Sequence, residues 1–453
     1  MNNYKKYFKG KKITVMGLGL LGRGIGYTKF LAECGADLIV TDLKTEEELA
    51  TSLKSLKKYK NITYRLGQHR LEDFQNRDMI MKAAGVPLDS IYIKEAQKNN
   101  IPIEMDVSLF LKYAEEVTCV GVTGTRGKSM TTMLIYEILK ESEKKLKQKI
   151  YLGGNVRGVA TLPLLAKVKK GDILVCELDS WQLQGFGEVN ISPRISVFTS
   201  FMPDHMNYYK NNLKEYFNDK ANIFKYQKKG DVLIVRPDIE KLIPKNIKSK
   251  LIVADKNEIK KIKNWNFVVP GEHQRENLAC AVLVAKQLGI PINEIKKSVE
   301  KFKGVEGRLQ LVKNYKGVKI YNDNNATTPE ATIAGLEALS CVRQDLTQNK
   351  NIILIIGGAD KGLDLEVLVL SINKYCKSVV LLEGSGTSKL ITNYELRITN
   401  EIAKNLKDAI KKALQVGKKG DILLFSPAFA SFGMFTNEYD RNDQFMEIIK
   451  KLK

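Results

Sequence analysis

The chain of 453 residues is 43% hydrophobic and 8% aromatic, a composition typical of a globular protein of about three domains. No apolar run reaches the length of a membrane span, and the basic N-terminus lacks the apolar segment of a secretory signal, so we expect a cytoplasmic protein. The net charge of +22 suits a nucleic-acid binder, a membrane-surface protein or an enzyme for polyanionic small molecules, and does not by itself choose among them.

The excess charge is mostly lysine, spread over helices and loops without an arginine-rich tract or interleaved aromatic residues. This pattern indicates solvated faces, with a minority of lysines lining anion sites. The cysteines are scattered and never form a C-x-x-C pair, so they indicate buried apolar groups, not a disulfide framework or a zinc site. They are Cys34, Cys119, Cys176, Cys280, Cys341 and Cys376.

Strand-like apolar runs alternate with helical patterns from end to end, which is typical of parallel α/β sheets. The predicted strands lie in KITVMGLG, DLIVTD, VTCVGVTG, DILVCEL, RISVFTSF, DVLIV, KLIVAD, VKIYND, NIILIIGG, SVVLLEG and DILLFSP. The pattern restarts near IPIEMDVSLF and near FKGVEGRLQLV. We therefore predict three domains, at residues 1–106, 107–307 and 308–453.

The first domain opens with MGLGLLGRG, in which Gly17, Gly19 and Gly22 follow a strand and precede a helix. Asp42 closes the next strand, about twenty residues further on, and taken alone this spacing predicts NAD binding. Any ligand with a diphosphate at a helix N-terminus and a ribose beside an acidic side chain fits the same geometry. A tight turn without a ligand is the remaining alternative.

The second domain contains GVTGTRGKSMTT, a short phosphate-binding pattern between a buried strand and an amphipathic helix. The general P-loop would place its first glycine at Val122, so only Gly124-x-x-Gly127-Lys128-Ser129 remains. The glycines let backbone N–H groups turn inward, Lys128 can reach terminal phosphates, and Ser129 can bind Mg²⁺. A plain glycine turn is the alternative.

Polar residues follow two later strands of the same domain. Glu177 ends DILVCEL, so its carboxylate should lie at the sheet edge of the phosphate loop and suit Mg²⁺, unless it caps a helix or forms a salt bridge. His205 follows the next strand beside Asp204, and both a ligand role and a structural role stay open. Lys220, in EYFNDKANIF, is by default a solvated lysine. Together these features indicate ATP-driven chemistry with domain closure.

Motifs along nearly the whole chain resemble those of the Mur ligase family, in the family's order. They are GLGLLG, TGTRGKS, GGNVRG, ELDSWQL, DHMNYY, DKANIF, GEHQRENLACA, GRLQLV, NDNNATTPEAT, GGADKG and SPAFASFGMF. The resemblance implies a Rossmann-like N-terminal domain, a central P-loop-type ATPase domain and a C-terminal Rossmann-like α/β domain. It also implies that the shortened phosphate loop is the family's normal form.

The resemblance implies that ATP phosphorylates the terminal carboxylate of UDP-N-acetylmuramoyl-L-alanine and that the amine of D-glutamate attacks the acyl phosphate, in cytoplasmic peptidoglycan precursor synthesis. ATP and Mg²⁺ are the implied cofactors. The implied partners are small molecules, with a monomeric enzyme and no nucleic acid or membrane. The first domain would then bind UDP, not NAD, at positions Leu20, Leu21, Asp42, Lys44 and Gly85.

For the central domain the resemblance assigns Ser129 and Glu177 to one Mg²⁺, and His205 with a carbamylated Lys220 to a second. Carbamylation turns a cation into an anion, and it requires a neutral amine and so a lowered pKa. Lys128 would stabilise the transferred phosphoryl group. The other implied positions are Gly124, Thr125, Gly127, Asn277, Arg308 and Asp323 for the nucleotide, Asn155 and His205 for the substrate carboxylate, and Thr327, Lys361 and Ser431 for glutamate.

The chain departs from this family pattern at four positions. Asn325 stands where lysine is usual, Gly307 replaces a histidine, Glu438 replaces an aromatic residue and Gly433 replaces an aspartate. Three of these positions surround the implied amino-acid site. L-glutamate or another amino acid is therefore an alternative within the same chemistry.

Two alternatives come from other classes of protein. An NAD-binding oxidoreductase would leave the phosphate loop and the DHM motif without a role. A nucleic-acid-binding ATPase would leave the first domain without one.

Overall fold

The structure is a computed structural model that describes residues 3–114, 116–340 and 350–452. The chain divides into two compact units, one of Met1–Lys263 with Glu276–Ser298 and one of Asn264–Arg275 with Val299–Lys453. The first unit contains a five-stranded and a six-stranded sheet, and the second contains another six-stranded sheet. The expected three α/β sheets are confirmed, while the three domain boundaries stay predictions.

The N-terminal sheet is wholly parallel, with strand order β3-β2-β1-β4-β5. Strand order reverses beside β1, and the carboxyl ends of strands at such a switch point commonly frame a ligand site. The strands are β1 (Lys12–Met16), β2 (Asp37–Asp42), β3 (Ile62–Leu66), β4 (Met79–Lys82) and β5 (Ile103–Glu104). The helices are α1 (Asn3–Phe8), α2 (Arg23–Glu33), α3 (Ala50–Lys54), α4 (Ile91–Lys98) and α5 (Asp106–Tyr113), with a 3₁₀ helix at Leu71–Phe74.

The central sheet is also parallel, with order β11-β10-β9-β6-β8-β7. Its strands are β6 (Thr118–Thr123), β7 (Ile150–Gly154), β8 (Ile173–Glu177), β9 (Ile195–Phe198), β10 (Val232–Val235) and β11 (Lys250–Val253). The helices are α6 (Lys128–Glu141), α7 (Glu143–Leu146), α8 (Ser180–Glu188), α9 (Leu213–Ala221), α10 (Pro237–Glu240) and α11 (Lys256–Ile262), with a 3₁₀ helix at Leu162–Ala166. Two further helices, α12 (Glu272–Gln287) and α13 (Ile292–Lys301), contribute residues to both units.

The C-terminal sheet has order β12-β13-β17-β14-β15-β16, and it is mixed. Its strands are β12 (Gln310–Tyr315), β13 (Val318–Asn322), β14 (Ile352–Gly357), β15 (Cys376–Leu382), β16 (Thr399–Ala403) and β17 (Ile422–Phe425). The helices are α14 (Pro329–Ser340), α15 (Glu366–Tyr375), α16 (Ser385–Asn393), α17 (Leu406–Val416) and α18 (Glu438–Lys451).

The third sheet is parallel except at one edge. Strand β12 pairs antiparallel with β13, across a turn in which Lys316 and Gly317 have φ of 50° and 86°. Two consecutive residues with positive φ form the tight turn that reverses a chain into a hairpin. The remaining neighbours in this sheet pair in parallel.

Apolar side chains on β14 alternate between the two faces of the C-terminal sheet. Ile352, Leu354 and Ile356 belong to one buried cluster, and Ile353 and Ile355 belong to another. A strand covered on both faces needs a continuous apolar run, which is what NIILIIGG provides. The same reason explains the buried runs of the central sheet.

Five of the six cysteines are buried and not in disulfides, as predicted, whereas Cys341 lies outside the described residues. In the part of the chain that the structure describes, no helix is long and apolar enough to cross a membrane.

Candidate active site

A tight loop from Gly124 to Gly127 joins β6 to the N-terminus of α6. Both glycines have positive φ, 145° and 88°, which residues with side chains rarely adopt. A Cβ at Gly127 would lie 2.5 Å from Asn277 Oδ1, and a Cβ at Gly124 would collide with the Thr199 hydroxyl. Only glycine fits both positions, and Asn277 lies against the loop, whereas its expected contact with the nucleotide stays a prediction.

Residues that follow β9 brace the same loop. The Thr125 backbone N–H donates to the Ser200 carbonyl at 2.7 Å, and the Arg126 backbone N–H donates to the Ser200 hydroxyl at 2.8 Å. The Thr125 hydroxyl donates to the Met202 carbonyl at 3.1 Å. Because β6 and β9 are neighbours in the sheet, the segments that leave their carboxyl ends fix each other.

Two lysines donate to one carbonyl oxygen of this loop. Lys128 Nζ donates to Gly124 O at 2.9 Å and to Thr125 O at 3.1 Å. Lys220 Nζ reaches the same Gly124 O at 3.0 Å from α9. The Lys220 side chain is only 1% exposed, so the default expectation of a solvated lysine is wrong.

The surroundings of Lys220 disfavour its ammonium form. Burial, and then the charge of Lys128, hold the pKa of Lys220 well below its usual range, against the opposing charges of Asp179, Asp204 and Asp219. Lys220 therefore loses a proton more readily than an exposed lysine does. A neutral amine is the form that reacts with CO₂.

Glu177 ends β8 between β6 and β7, where its register partners are Val122 and Gly154. The Asn155 backbone N–H donates to the Glu177 carbonyl at 2.7 Å, so these two predicted residues lie together. Glu177 is buried, and no hydrogen bond or ion pair from the described residues reaches its carboxylate. The cap of the following helix is instead Asp179.

His205 lies on the segment after β9, with its ring 4.7 Å from the Trp181 ring between centroids. Burial lowers the pKa of His205, against the opposing charge of Asp204. The imidazole is therefore mainly neutral at pH 7, and a neutral ring keeps a nitrogen lone pair for a ligand.

The oxygen donors at this sheet edge suit Mg²⁺. Within residues 3–114, 116–340 and 350–452, no group of three or more His, Cys, Asp or Glu side chains is arranged to hold a metal ion. Mg²⁺ needs only one or two protein ligands, because phosphates and water complete its shell. The two predicted ligands are the Ser129 hydroxyl, beside Lys128 at the start of α6, and the Glu177 carboxylate, and their binding of Mg²⁺ stays a prediction.

A cavity of about 230 Å³ opens at the carboxyl ends of β1 and β4. The loop that contains Gly17 and Gly19, called the glycine loop below, lines this cavity together with Leu20 and Leu21. Gly85 also lines it. Leu20 is 43% exposed and Leu21 is 37% exposed, so apolar surface is available to a ligand. Three of the five predicted UDP-binding residues therefore line one cavity.

Asp42 and Lys44 lie outside the residues that line this cavity. The Asp42 carboxylate accepts the backbone N–H of Gly19 at 3.0 Å and that of Lys44 at 2.9 Å. Asp42 thus holds the glycine loop from the end of β2. Contact of Asp42 or Lys44 with a ligand stays a prediction.

The three predicted glutamate-binding residues lie on connected segments of the second unit. Lys361 Nζ donates to Thr327 Oγ1 at 3.2 Å. Two backbone hydrogen bonds between Ala359 and Ala430, of 2.9 and 3.1 Å, join the Lys361 segment to the segment that carries Ser431. The contact of these three residues with glutamate stays a prediction.

Asp323 follows β13 and connects three segments of the second unit. Its carboxylate accepts the Leu309 backbone N–H at 3.0 Å and the Ser426 hydroxyl at 2.9 Å. Burial raises the pKa of Asp323 to about 7, while the charge of nearby Arg308 opposes this shift. The expected nucleotide contacts of Asp323 and Arg308 stay predictions.

Two of the four departures from the family pattern contact each other. The Asn325 backbone N–H donates to the Gly307 carbonyl at 2.9 Å, and a Cβ at Gly307 would lie 3.2 Å from the Asn325 side-chain nitrogen. Gly307 therefore leaves room for Asn325. Glu438 begins α18, where its carbonyl accepts the Asn324 amide at 2.9 Å, and Gly433 has φ of 98°.

Two buried cations escaped the sequence analysis. Lys82 ends β4 and lines the cavity of the first unit, and Arg441 lies on α18 with no exposed surface. The available signals were a lysine that closes the apolar strand MIM and an arginine on the same helix face as Phe445 and Ile449, at four-residue spacing.

Arg441 connects the segments that follow β13 and β17. Its Nε donates to Asn324 Oδ1 at 2.8 Å and its Nη2 donates to the Asn324 carbonyl at 2.9 Å. Its Nη1 donates to the Phe429 carbonyl at 3.3 Å. One guanidinium group therefore fixes two segments that carry predicted substrate-binding residues.

Three family models match successive parts of the chain. The Mur ligase MurD-like N-terminal domain matches residues 11–104, the Mur ligase middle domain matches residues 122–267, and the Mur ligase glutamate ligase domain matches residues 307–429.

Curated relatives match the chain from end to end. UDP-N-acetylmuramoylalanine–D-glutamate ligase of Borreliella burgdorferi (strain ZS7) is 37% identical over 468 residues, which cover 98% of each chain. The protein of the same name from Roseiflexus sp. (strain RS-1) is 32% identical over 478 residues, which cover 97% of this chain and 98% of that one. The solved structure of UDP-N-acetylmuramate-alanine ligase MurC from Thermotoga maritima shares the fold, with a TM-score of 0.61 and 18% identity over 98% of this chain and 100% of that chain.

Proposed function

The chain belongs to the Mur ligase family, and on that premise we propose that it adds D-glutamate to UDP-N-acetylmuramoyl-L-alanine in peptidoglycan precursor synthesis. It is an ATP-dependent ligase that forms an amide bond. Relatives named as D-glutamate ligases, 31–37% identical over nearly the full chain, favour D-glutamate over L-glutamate or another amino acid. Because these relatives are ligases, they argue against the oxidoreductase and nucleic-acid-binding interpretations.

One observation carries this proposal for the central domain. The phosphate loop, the Glu177 carboxylate, Asn155 and the side-chain nitrogens of Lys128 and Lys220 meet at the carboxyl edge of one parallel sheet. A phosphate at the N-terminus of α6 would meet inward backbone N–H groups and the charge of Lys128. This is an arrangement suited to phosphoryl transfer.

The first chemical step is phosphoryl transfer from ATP. An oxygen of the substrate carboxylate attacks the γ-phosphorus, a new O–P bond forms, the bond to the β-phosphate oxygen breaks, and ADP leaves. Lys128 stabilises the negative charge on the transferred group, because its ammonium already lies over the loop that holds the phosphates.

The second step is amide formation. The neutral amine of D-glutamate attacks the acyl-phosphate carbon, a C–N bond forms, and the tetrahedral intermediate expels inorganic phosphate as the C–O bond breaks. The amine gives up a proton in this step, and the expelled phosphate takes it up to leave as hydrogen phosphate. We assign a carboxylate of the incoming glutamate to Lys361 and Thr327, which lie 3.2 Å apart, with Ser431 on the adjoining segment.

We assign Mg²⁺ to Ser129 and Glu177, with His205 and a carbamylated Lys220 at a second position. When bound, Mg²⁺ neutralises phosphate charge during transfer. Lys220 suits this role only as a carbamate, since its ammonium would repel a cation. Its buried position and lowered pKa support that modification.

For the first domain we assign the UDP end of the substrate to the cavity lined by Leu20, Leu21 and Gly85. The glycine loop and the N-terminus of α2 suit a diphosphate there. The partners we propose are small molecules, with the enzyme acting as a monomer in the cytoplasm, where nucleotide-linked precursors and ATP are available.

The substitution Lys128→Ala tests the nucleotide assignment. Loss of phosphoryl stabilisation is expected to lower the rate of phosphate release by about a thousandfold, with the fold intact by circular dichroism. Lys140→Ala, at the exposed end of the same helix, is the matched control and should keep full activity. Near-normal turnover by Lys128→Ala would show that the phosphate loop does not serve ATP.

A further inference from the structure

Lys82 is a buried cation that the chemistry above does not use. It is the last residue of β4, it is 1% exposed, and it lies in the wall of the first-domain cavity. A lysine in such a place must satisfy its ammonium group within the protein, because water does not reach it freely.

The Lys82 ammonium group uses its donors on a single turn of the chain. Its Nζ donates to the carbonyl of Val86 at 2.7 Å and to the carbonyls of Ala83 and Ala84 at 3.3 Å each. Three donors meeting three carbonyls leave little freedom in this segment. Lys82 therefore fixes the backbone of the turn that carries Gly85.

Two backbone N–H groups of the turn held by Lys82 remain available to a ligand. Among the described residues, no acceptor is found for the backbone N–H groups of Ala84 and Gly85. Both residues line the cavity. When the carbonyls of successive residues are bound elsewhere, their backbone N–H groups can together form a small anion-binding site.

Other positive groups border the same cavity. The N-terminus of α2 begins at Arg23, its N-cap residue Gly22 has left-handed φ of 86°, and Arg23 itself lines the cavity wall. Helix N-termini favour anions because the first N–H groups lack intrahelical partners. The cavity thus combines Lys82, Arg23 and free backbone donors.

We propose that Lys82 is a positioning residue for the substrate diphosphate: by holding the carbonyls of the Ala83–Val86 turn, it presents the Ala84 and Gly85 N–H groups to the phosphate oxygens and adds its own charge. This inference rests on the proposed binding of UDP in this cavity. It adds a residue that none of the family motifs quoted above contains.

The charge of Lys82 depends on its neighbours. Burial lowers the pKa of Lys82 to about 8, and the acidic groups that oppose this shift are Asp179, which caps α8, Asp219 on α9 and Glu188 on α8. Arg23 on α2 and Asp106 on α5 also border the cavity. Lys82 is therefore mainly charged at pH 7 and mainly neutral at pH 9.5.

Calorimetric titration of the full chain with UDP and with uridine tests this role. In Lys82→Met the affinity for UDP should fall by about tenfold or more, since hydrogen bonds to a charged ligand are lost, while uridine should bind as it does to the wild type. Lys98→Met removes an exposed lysine from α4 in the same domain and should change neither affinity.

The outcomes separate the two proposals. If the wild type binds neither UDP nor uridine, the assignment of UDP to the first domain fails. If the wild type binds UDP and folded Lys82→Met binds it equally well, the role of Lys82 is wrong. An equal loss for UDP and uridine would also contradict it, because that result indicates general damage to the cavity.

A second measurement avoids the substitution in case Lys82→Met does not fold. Between pH 7 and 9.5 the wild-type affinity for UDP should fall as Lys82 loses its proton, while the affinity for uridine stays level below the pKa of its own ring. Lys82→Arg, which remains charged, should flatten the UDP profile over this range. A wild-type UDP profile that is level across pH 8 would overturn the proposal.

Discussion

At the scale of single residues, two lysines compete for one carbonyl of the phosphate loop. Lys128 and Lys220 both donate to Gly124 O, and two ammonium groups so close repel each other. Lys220 is almost fully buried and its pKa lies well below the usual range, so we expect Lys220 to give up its proton. Conversion to a carbamate would remove the repulsion and supply oxygen ligands.

Lys220→Ala tests the carbamate. We expect activity to fall by on the order of a hundredfold or more, because the anionic ligand is lost, and formate or acetate to restore part of it by occupying the vacated space. The exposed Lys225 supplies a control, since Lys225→Ala removes a lysine side chain from the same domain that does not contact the loop. Full activity of Lys220→Ala without added acid would show that no carbamate is needed.

Buried cations were the residues that sequence patterns identified least well. Lysine and arginine are usually solvated, so Lys82, Lys220 and Arg441 look ordinary in the sequence until their neighbours are known. Only Lys220 was found, and only through the family resemblance. Glycines at 124 and 127 were predictable, because a strand, a short loop and a helix in succession require the positive φ that they adopt.

At the scale of elements, every predicted strand was confirmed, including the edge strand β11. The missed strands are β3, β4, β5, β7, β12 and β16, of which all but β4 lie at the edge of a sheet. Edge strands need fewer apolar residues, as TNEIA in β16 shows, so periodicity is weak there. Strand β4 is interior, but it ends in Lys82, so its apolar run is only the three residues Met79–Met81.

Helix α18 offers a prediction at this scale. Arg441→Met would leave the carbonyl oxygens of Asn324 and Phe429 without their donor in a buried site, which should lower the free energy of unfolding of the second unit by about 2 kcal/mol or more. Urea denaturation measures this change. Arg397→Met, at an exposed position, should cost less than about 1 kcal/mol. Equal stability of both variants would contradict the anchoring role.

At the scale of the whole molecule, the net charge of +22 has a partial explanation in the substrates. ATP and the UDP-linked substrate are polyanions, and cations line or border both proposed sites, as Lys128 and Lys82 show. The order of motifs along the chain predicted three α/β domains because each sheet is built mainly from local strand–helix succession. The antiparallel β12 was not predictable from that order, since a hairpin turn reverses it.

The most direct test of the ligase assignment measures phosphate release and the coupled product with ATP, Mg²⁺, UDP-N-acetylmuramoyl-L-alanine and a panel of amino acids. We predict rapid release of phosphate with D-glutamate, little with L-glutamate or other amino acids, and a product heavier than the nucleotide substrate by one glutamate residue in mass spectrometry. Omission of the nucleotide substrate should abolish both signals. Preferential turnover of another amino acid, or phosphate release without a new amide product, would contradict the proposed function.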